Sequence, residues 1–254
     1  MPVLDVPRSV LLAAWLTGPF DRARLVAAVQ RDDEPHRVVG LADDDRPLSR
    51  LVDACADEPR EVACLLPGPG DPPPGLPPAL TAAAVAAGEC LLVRTPTVCL
   101  AAVPEVQRFG SALEPGHLVT WQVAPVPDWR RPVLGAVPLL DEADRALRTG
   151  LAEATDALVR LDVARWRPEL GERLAELRAD SSVTSLLPPG LAGARVRLLL
   201  SAVRLRAVVA LATVDDGAAV TVGQADRRLG ALRDVDRSAR RALGAAVTSE
   251  LRTP

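Results

Sequence analysis

Residues 61–94 constrain this chain more than any other stretch. The run EVACLL at 61–66 is apolar and of strand length. It is followed by PGPGDPPPGLPP at 67–78, an alanine-rich helical segment at 79–87, Gly88, and a second apolar run at 90–94. Strand, helix and strand within so short a span is the pattern of a βαβ unit, so the two strands are expected as parallel neighbours in a sheet. The connector would then lie at the carboxyl end of a parallel strand, where open α/β sheets bind ligands. A phosphate cradle works through backbone N–H groups, however, and seven of the twelve residues at 67–78 are prolines, which have none. Asp71 would also repel an anion. The segment reads as a stiff connector, or as a surface for a partner, with Asp71 as its candidate contact residue.

Around this unit the first half alternates short elements. Helices are expected at 8–16 and at 21–30, the second capped by Asp21, followed by a strand at 37–42, a turn at 43–45 and a helix at 48–56. A strand is expected at 97–103, and a half-buried antiparallel strand at 117–124, where Val119, Trp121 and Val123 alternate with Thr120 and Gln122. Beyond the proline-spaced stretch 124–138 only helices are expected. One has a seam of Leu147, Leu151, Ala154, Leu158 and Leu161. The others fall at 169–179, 191–213, 224–232 and 235–251, with a loop at 181–190 and a break at 215–217. The fold class is therefore α+β: a mixed α/β part with a small mixed sheet at 1–135, then an all-helical part at 136–254.

Composition narrows the chemistry. The 254 residues include no Lys, Asn, Ile or Tyr, and all thirty positive charges are Arg. Schiff-base chemistry, a P-loop lysine and a phenolic acid or base are thereby excluded, leaving carboxylates, two His and four Cys as acid–base groups. Cys55, Cys64, Cys90 and Cys99 show no metal-ligand spacing and read as small buried thiols; no metal and no cofactor is expected. The apolar run at 10–16 is too short for a secretion signal, and Arg197, Arg204 and Arg206 interrupt 196–214. A reduced, cytoplasmic protein without a membrane span is the expectation.

Four groups of polar residues invite a functional reading. The acidic runs 32–34, beside His36, and 43–45 fall at opposite ends of a strand and read as solvated turns. His117 opens its strand and reads as structural. Trp129, Arg130 and Arg131 form an aromatic and basic cluster that looks exposed, a candidate interface anchor or a hinge capping the core. In the last 64 residues eleven Arg face six acids. Arg195 and Arg206 fall on one helical face and Arg197 and Arg204 on the other, whereas Arg233, Arg237 and Arg241 align if their helix is unbroken. Asp236 and Arg240 have the spacing of an ion pair.

The phrases DDEPHRVVGLADDDRPLSRL, LLPGPGDPPPGLPPALTAAAVAAGE, LDVARWRPE and DRSARRAL resemble chromosomally encoded proteins of high-GC Gram-positive bacteria that have no assigned activity. The resemblance covers most of the chain, contains no catalytic motif, and implies no function. The leading expectation is a non-catalytic protein acting through protein contacts or self-association. Nucleic-acid binding by the C-terminal arginines and a small-molecule hydrolase centred near Asp71 are the alternatives.

Overall fold

The computed structural model describes residues 4–41, 45–68, 70–111, 114–160, 182–214 and 222–250. They fall into two compact units that interleave along the chain. One comprises Pro7–Val137, Leu186–Ala192 and Val247–Pro254; the other comprises Met1–Val6, Pro138–Ser185 and Gly193–Ala246. A mixed sheet and a set of helices make the protein α+β.

The first unit contains helices α1 (Arg8–Leu16), α2 (Arg22–Gln30), α3 (Leu48–Ala54), α4 (Pro78–Ala87) and α5 (Arg130–Leu134). Its strands are β1 (Arg37–Val39), β2 (Arg46–Pro47), β3 (Glu61–Leu65), β4 (Cys90–Arg94), β5 (Cys99–Gly110) and β6 (Pro115–Pro125). The strands form one sheet in the order β2-β1-β6-β5-β4-β3, in which only β1 and β6 run parallel. As the sequence indicated, the Asp21 side chain caps α2, accepting from the Arg24 N–H at 2.8 Å.

β3 and β4 are neighbours, but antiparallel rather than parallel, with Leu65 opposite Cys90. A strand–helix–strand pattern leaves open which leg of the connection carries the chain back along the sheet. Here the proline-rich loop between β3 and α4 makes one leg and α4 the other, so the excursion starts and ends at the same end of the sheet. Gly88, at φ +71°, closes α4 and turns the chain directly into β4. The proline loop therefore does not occupy the carboxyl end of a parallel pair.

Period-two alternation gives the sheet two apolar faces. Ala63, Leu65, Cys90, Leu92, Ala101 and Val103 pack with Leu80 and Ala84 of α4 and with Trp129 and Val133 around α5. The opposite face carries Val62, Leu91, Val93, Ala102, Trp121 and Val123, with α1 against β3, β4 and β5. All nine residues of α1 are buried. At the outer edge of β3, Ser249 and Val62 exchange backbone and hydroxyl hydrogen bonds, and the Thr248 hydroxyl accepts from the Cys64 N–H, so that edge is covered.

β5 extends seven residues past the expected end, to Gly110, and pairs with β6 along its whole length. β4 accompanies β5 only as far as Ala102, and β1 accompanies β6 only over residues 120–122. The rest of the hairpin is a two-stranded arm whose residues 105–110 are all exposed.

The helical unit holds α6 (Leu140–Arg160), α7 (Ser182–Leu186), α8 (Gly193–Val214) and α9 (Val222–Val247). Gly150 of α6 lies against α9 so closely that a Cβ there would stand 3.2 Å from Ser238 Oγ. Of the expected seam on α6, Leu147 is buried and Leu151 is 48% exposed; the side chains from Ala154 onward lie outside the described residues. The expected helix at 169–179 and break at 215–217 also lie outside them. The expected loop at 181–190 instead opens with the single turn of α7. The two helices expected after residue 224 are one, because Leu232, Val235, Ala239 and Leu243 bury a continuous stripe that outweighs the ~1 kcal/mol cost of Gly230.

Candidate functional site

A densely built polar cluster sits at the root of the arm. Asp33 follows α2, and its carboxylate collects side chains from three directions. Oδ2 accepts from Arg8 Nε of α1 at 2.7 Å and faces His36 Nε2 at 3.1 Å, while Oδ1 lies 3.2 Å from His117 Nδ1 of β6. Both histidines of the chain thus converge on one carboxylate. Trp121 Nε1 donates to His36 Nδ1 at 3.2 Å. An indole N–H can only donate, so His36 Nδ1 must accept and its proton sits on Nε2, directed at Asp33.

Burial is the largest influence on both groups. It lowers the pKa of His36 below 6.5, an effect that the Asp33 hydrogen bond and charge only partly oppose. For Asp33, burial works to raise the pKa, but the hydrogen bonds from Arg8 and His36 and the charge of Arg8 outweigh it and hold the carboxyl below 3.8. The acidic run at 32–34 is therefore not simply a solvated helix exit: Asp33 is buried, paired and ionised against a neutral His36. One sequence signal could have found it. Arg8 heads a fully buried helix that is apolar beyond Ser9, and a buried guanidinium needs a carboxylate. Every group in the cluster is engaged by another member except the far edge of the His117 ring, so it reads as a brace joining α1, α2 and the arm.

The predicted site residues lie elsewhere. Asp71 closes a small turn with Gly68, each backbone N–H donating to the other's carbonyl. The same loop lies on α5: a Cβ at Gly75 would stand 3.1 Å from Pro132, and Leu76 packs on the Trp129 core. Trp129 and Arg130, expected to look exposed, are buried. Trp129 fills the core between α5 and the sheet, and Arg130 binds Asp128 at 2.9 Å and approaches Glu61 at 3.6 Å. The Arg130 hydrogen bonds hold the Asp128 carboxyl at about 2. Arg131 is exposed. The cluster caps the core.

In the helical unit Arg233, Arg237 and Arg241 all lie on the exposed side of the unbroken α9, Arg237 paired with Asp234 at 3.1 Å. Arg195 reaches the carbonyl of Ala246 and Arg206 reaches Asp236, so their shared face of α8 packs on α9. Asp236 and Arg240 form the expected pair at 2.9 Å.

All four cysteines are free thiols; Cys55, Cys64 and Cys90 are buried, and burial raises the pKa of each, to about 12 for Cys55 and Cys90. Among the described residues no three His, Cys, Asp or Glu side chains are grouped to hold a metal ion, and no helix is long and apolar enough to cross a membrane.

Beyond its buried root the arm changes character. Val106, Phe109 and Leu118 are exposed to 39%, 44% and 46%. Phe109 and Leu118 are diagonal neighbours on one face, where the Phe109 ring lies over Gly116. Between the arm and α4 runs a groove of about 400 Å³, lined by Ala83, Ala86, Ala87, Val103, Glu105 and Gln122 among others.

These features define a two-unit α+β protein whose sheet carries an exposed, two-stranded arm. Family models divide the chain in a similar place: the N-terminal domain of the Rv1486c-like proteins matches residues 9–136, and their C-terminal domain matches residues 141–244. The chain belongs to this Rv1486c-like family. No curated protein and no solved structure matches it.

Proposed function

We propose that this is a non-catalytic cytoplasmic protein that acts by a protein–protein contact made through the β5–β6 arm. The carrying observation is the arm itself, which displays Val106, Phe109 and Leu118 to solvent on a ribbon rooted in a buried core. An isolated ribbon that exposes large apolar side chains is costly to leave uncovered, and contact with a partner removes that cost. The chemistry of the other groups supports the same reading. Asp33 and both histidines are engaged with one another, and the buried thiols are held neutral by their surroundings. The free state of all four cysteines suits a reducing compartment.

Capture from native extract tests this. The wild-type chain should retain a partner, or its own copy, that Phe109→Asp and Leu118→Asp both release without a change in melting temperature. A monomer that captures nothing, or capture indifferent to both substitutions, would overturn it.

A second reading rests on the continuity of α9, which brings Arg233, Arg237 and Arg241 onto one exposed side. A nucleic-acid contact there would weaken steeply with salt, and Arg233→Ala would flatten the salt slope by about one unit. Absence of binding at low salt removes this reading.

A further inference from the structure

The backbone of β5 is open on one side, and three prolines say which groups it presents. In an antiparallel ladder alternate residue pairs exchange both N–H···O bonds, and the pairs between them exchange none. Proline has no N–H to exchange. Pro104 lies opposite Trp121, Pro115 opposite Gly110 and Pro125 opposite Leu100. All three occupy the same alternation, so the pairs containing even-numbered residues of β5 are the unbonded ones. Leu100, Pro104, Val106 and Arg108 therefore turn their backbone groups away from β6.

Two neighbours corroborate the assignment. β4 takes its place beside β5 at Leu100 and Ala102, on the side these even-numbered residues face. Across the arm the His117 carbonyl, opposite Arg108, accepts the Glu34 N–H at 3.1 Å from outside the ladder.

β4 pairs with β5 no further than Ala102. Past that point the N–H and C=O groups of Val106 and Arg108 face an edge that no described strand covers. The groove of about 400 Å³ opens beside this edge at Pro104–Val106, between the strand and the alanines of α4.

We propose that the open edge of β5 pairs antiparallel with the same edge of a second copy of this chain, about a two-fold axis at Gln107. This rests on the arm-contact reading and names its partner. In this register Val106 lies opposite Arg108 of the other copy. Each copy's Val106 and Arg108 donate to, and accept from, their opposite numbers, so all the outward backbone groups of both residues are satisfied. A register centred on Val106 would set each Arg108 carbonyl against Pro104, which has no N–H to offer, whereas under the Gln107 axis Pro104 falls opposite Gly110 at the end of the strand. Side chains also match under the Gln107 axis. Gln107 meets Gln107, Phe109 meets Glu105, and the stem of Arg108 covers the exposed Val106, with no like charges opposed.

Sedimentation of the full chain from micromolar to about 1 mM should show a reversible dimer. Val106→Pro removes one outward donor and leaves the β5–β6 ladder intact, as Pro104 already does. It should raise the dimer dissociation constant at least about tenfold, as should Arg108→Pro, whereas Val106→Thr keeps the N–H and the dimer. Amide exchange supplies a readout that needs no variant: the Val106 and Arg108 amides should gain protection as concentration rises, while those of Glu105 and Gln107 stay protected throughout. A chain monomeric over the whole range overturns self-pairing, and so does a Val106→Pro variant that associates like wild type. If a monomeric chain still loses a captured protein on Leu118→Asp, self-pairing falls while the arm-contact reading stands; if capture also fails, both fall.

Discussion

The root and the tip of the β5–β6 arm belong to the same two strands and the same ladder, yet they are built to different rules. At the root, Trp121 is fully buried and every polar atom it approaches is matched, its indole to His36 and that histidine to Asp33. At the tip, residues 105–110 are all exposed, and the polar side chains there bond locally, Gln107 and Gln122 both donating to Glu105. The difference lies in what packs against the strands rather than in the strands themselves. Where α1 and the segment after α2 cover the ribbon, an unmatched polar group would be costly, so a network forms. Where nothing described covers it, apolar atoms and open backbone groups remain for another molecule.

The sharpest way to break this contrast is Asp33→Ala. Removing the carboxylate takes the Asp33 partner from the buried Arg8 guanidinium and the acceptor from the His36 Nε2–H, and losing one partner of a buried pair costs about 3–5 kcal/mol. Urea unfolding monitored by tryptophan fluorescence would measure it. A loss below about 1 kcal/mol would mean the root is no better braced than an exposed ion pair, and the distinction would collapse.

Trp121→Phe separates packing from hydrogen bonding at the same place. The ring volume is largely kept, but His36 Nδ1 loses its donor, for an expected cost of about 1–3 kcal/mol. With no N–H aimed at it, Nδ1 can take a proton, so the His36 pKa should rise toward its ordinary value. An NMR titration of the ring would show an unchanged value if the indole bond has no part in holding His36 neutral.

Much of the root was legible in the sequence, and its chemistry was not. The alternation of Val119, Trp121 and Val123 announced a half-buried strand because one face of β6 packs on the core. Arg8, Asp33, His36 and His117 were each visible, but their convergence depends on long-range pairing that no local spacing encodes. Residues 105–110 escaped notice for the opposite reason. Exposed on both sides and following a proline, they have no buried face to impose a period of two. The antiparallel course of β3 and β4 was hidden because the order strand, proline-rich loop, helix, strand does not say at which end of the sheet the chain re-enters.

Acidification should separate root from tip more gently. The folded-state pKa of His36 is below its unfolded value of 6.5, so the unfolded chain binds the extra proton first as pH falls. The stability from neutral His36 is fully present above 6.5 and is lost as pH falls from there to the folded value. Asp33 adds a second window, its contribution intact above 3.8 and lost as pH falls through its lowered folded value. Arg8 and Arg31 stay charged throughout and oppose protonation of His36. Melting temperatures across pH should therefore fall in two steps, and His36→Gln should remove the first. A single acid transition in the wild type would show that His36 is not held neutral.

The smallest expected change in stability comes at the tip, and its smallness carries information. Phe109→Ser and Leu118→Ser each remove an apolar side chain that is already close to half exposed, so little burial is forfeited on folding. Each should alter unfolding stability by no more than about 0.5 kcal/mol. If the arm is a contact surface, the same substitutions must weaken association far more than they weaken the fold. A change comparable to that of Asp33→Ala would show that the tip is packed within the folded chain, and the reason to look for a partner on it would disappear.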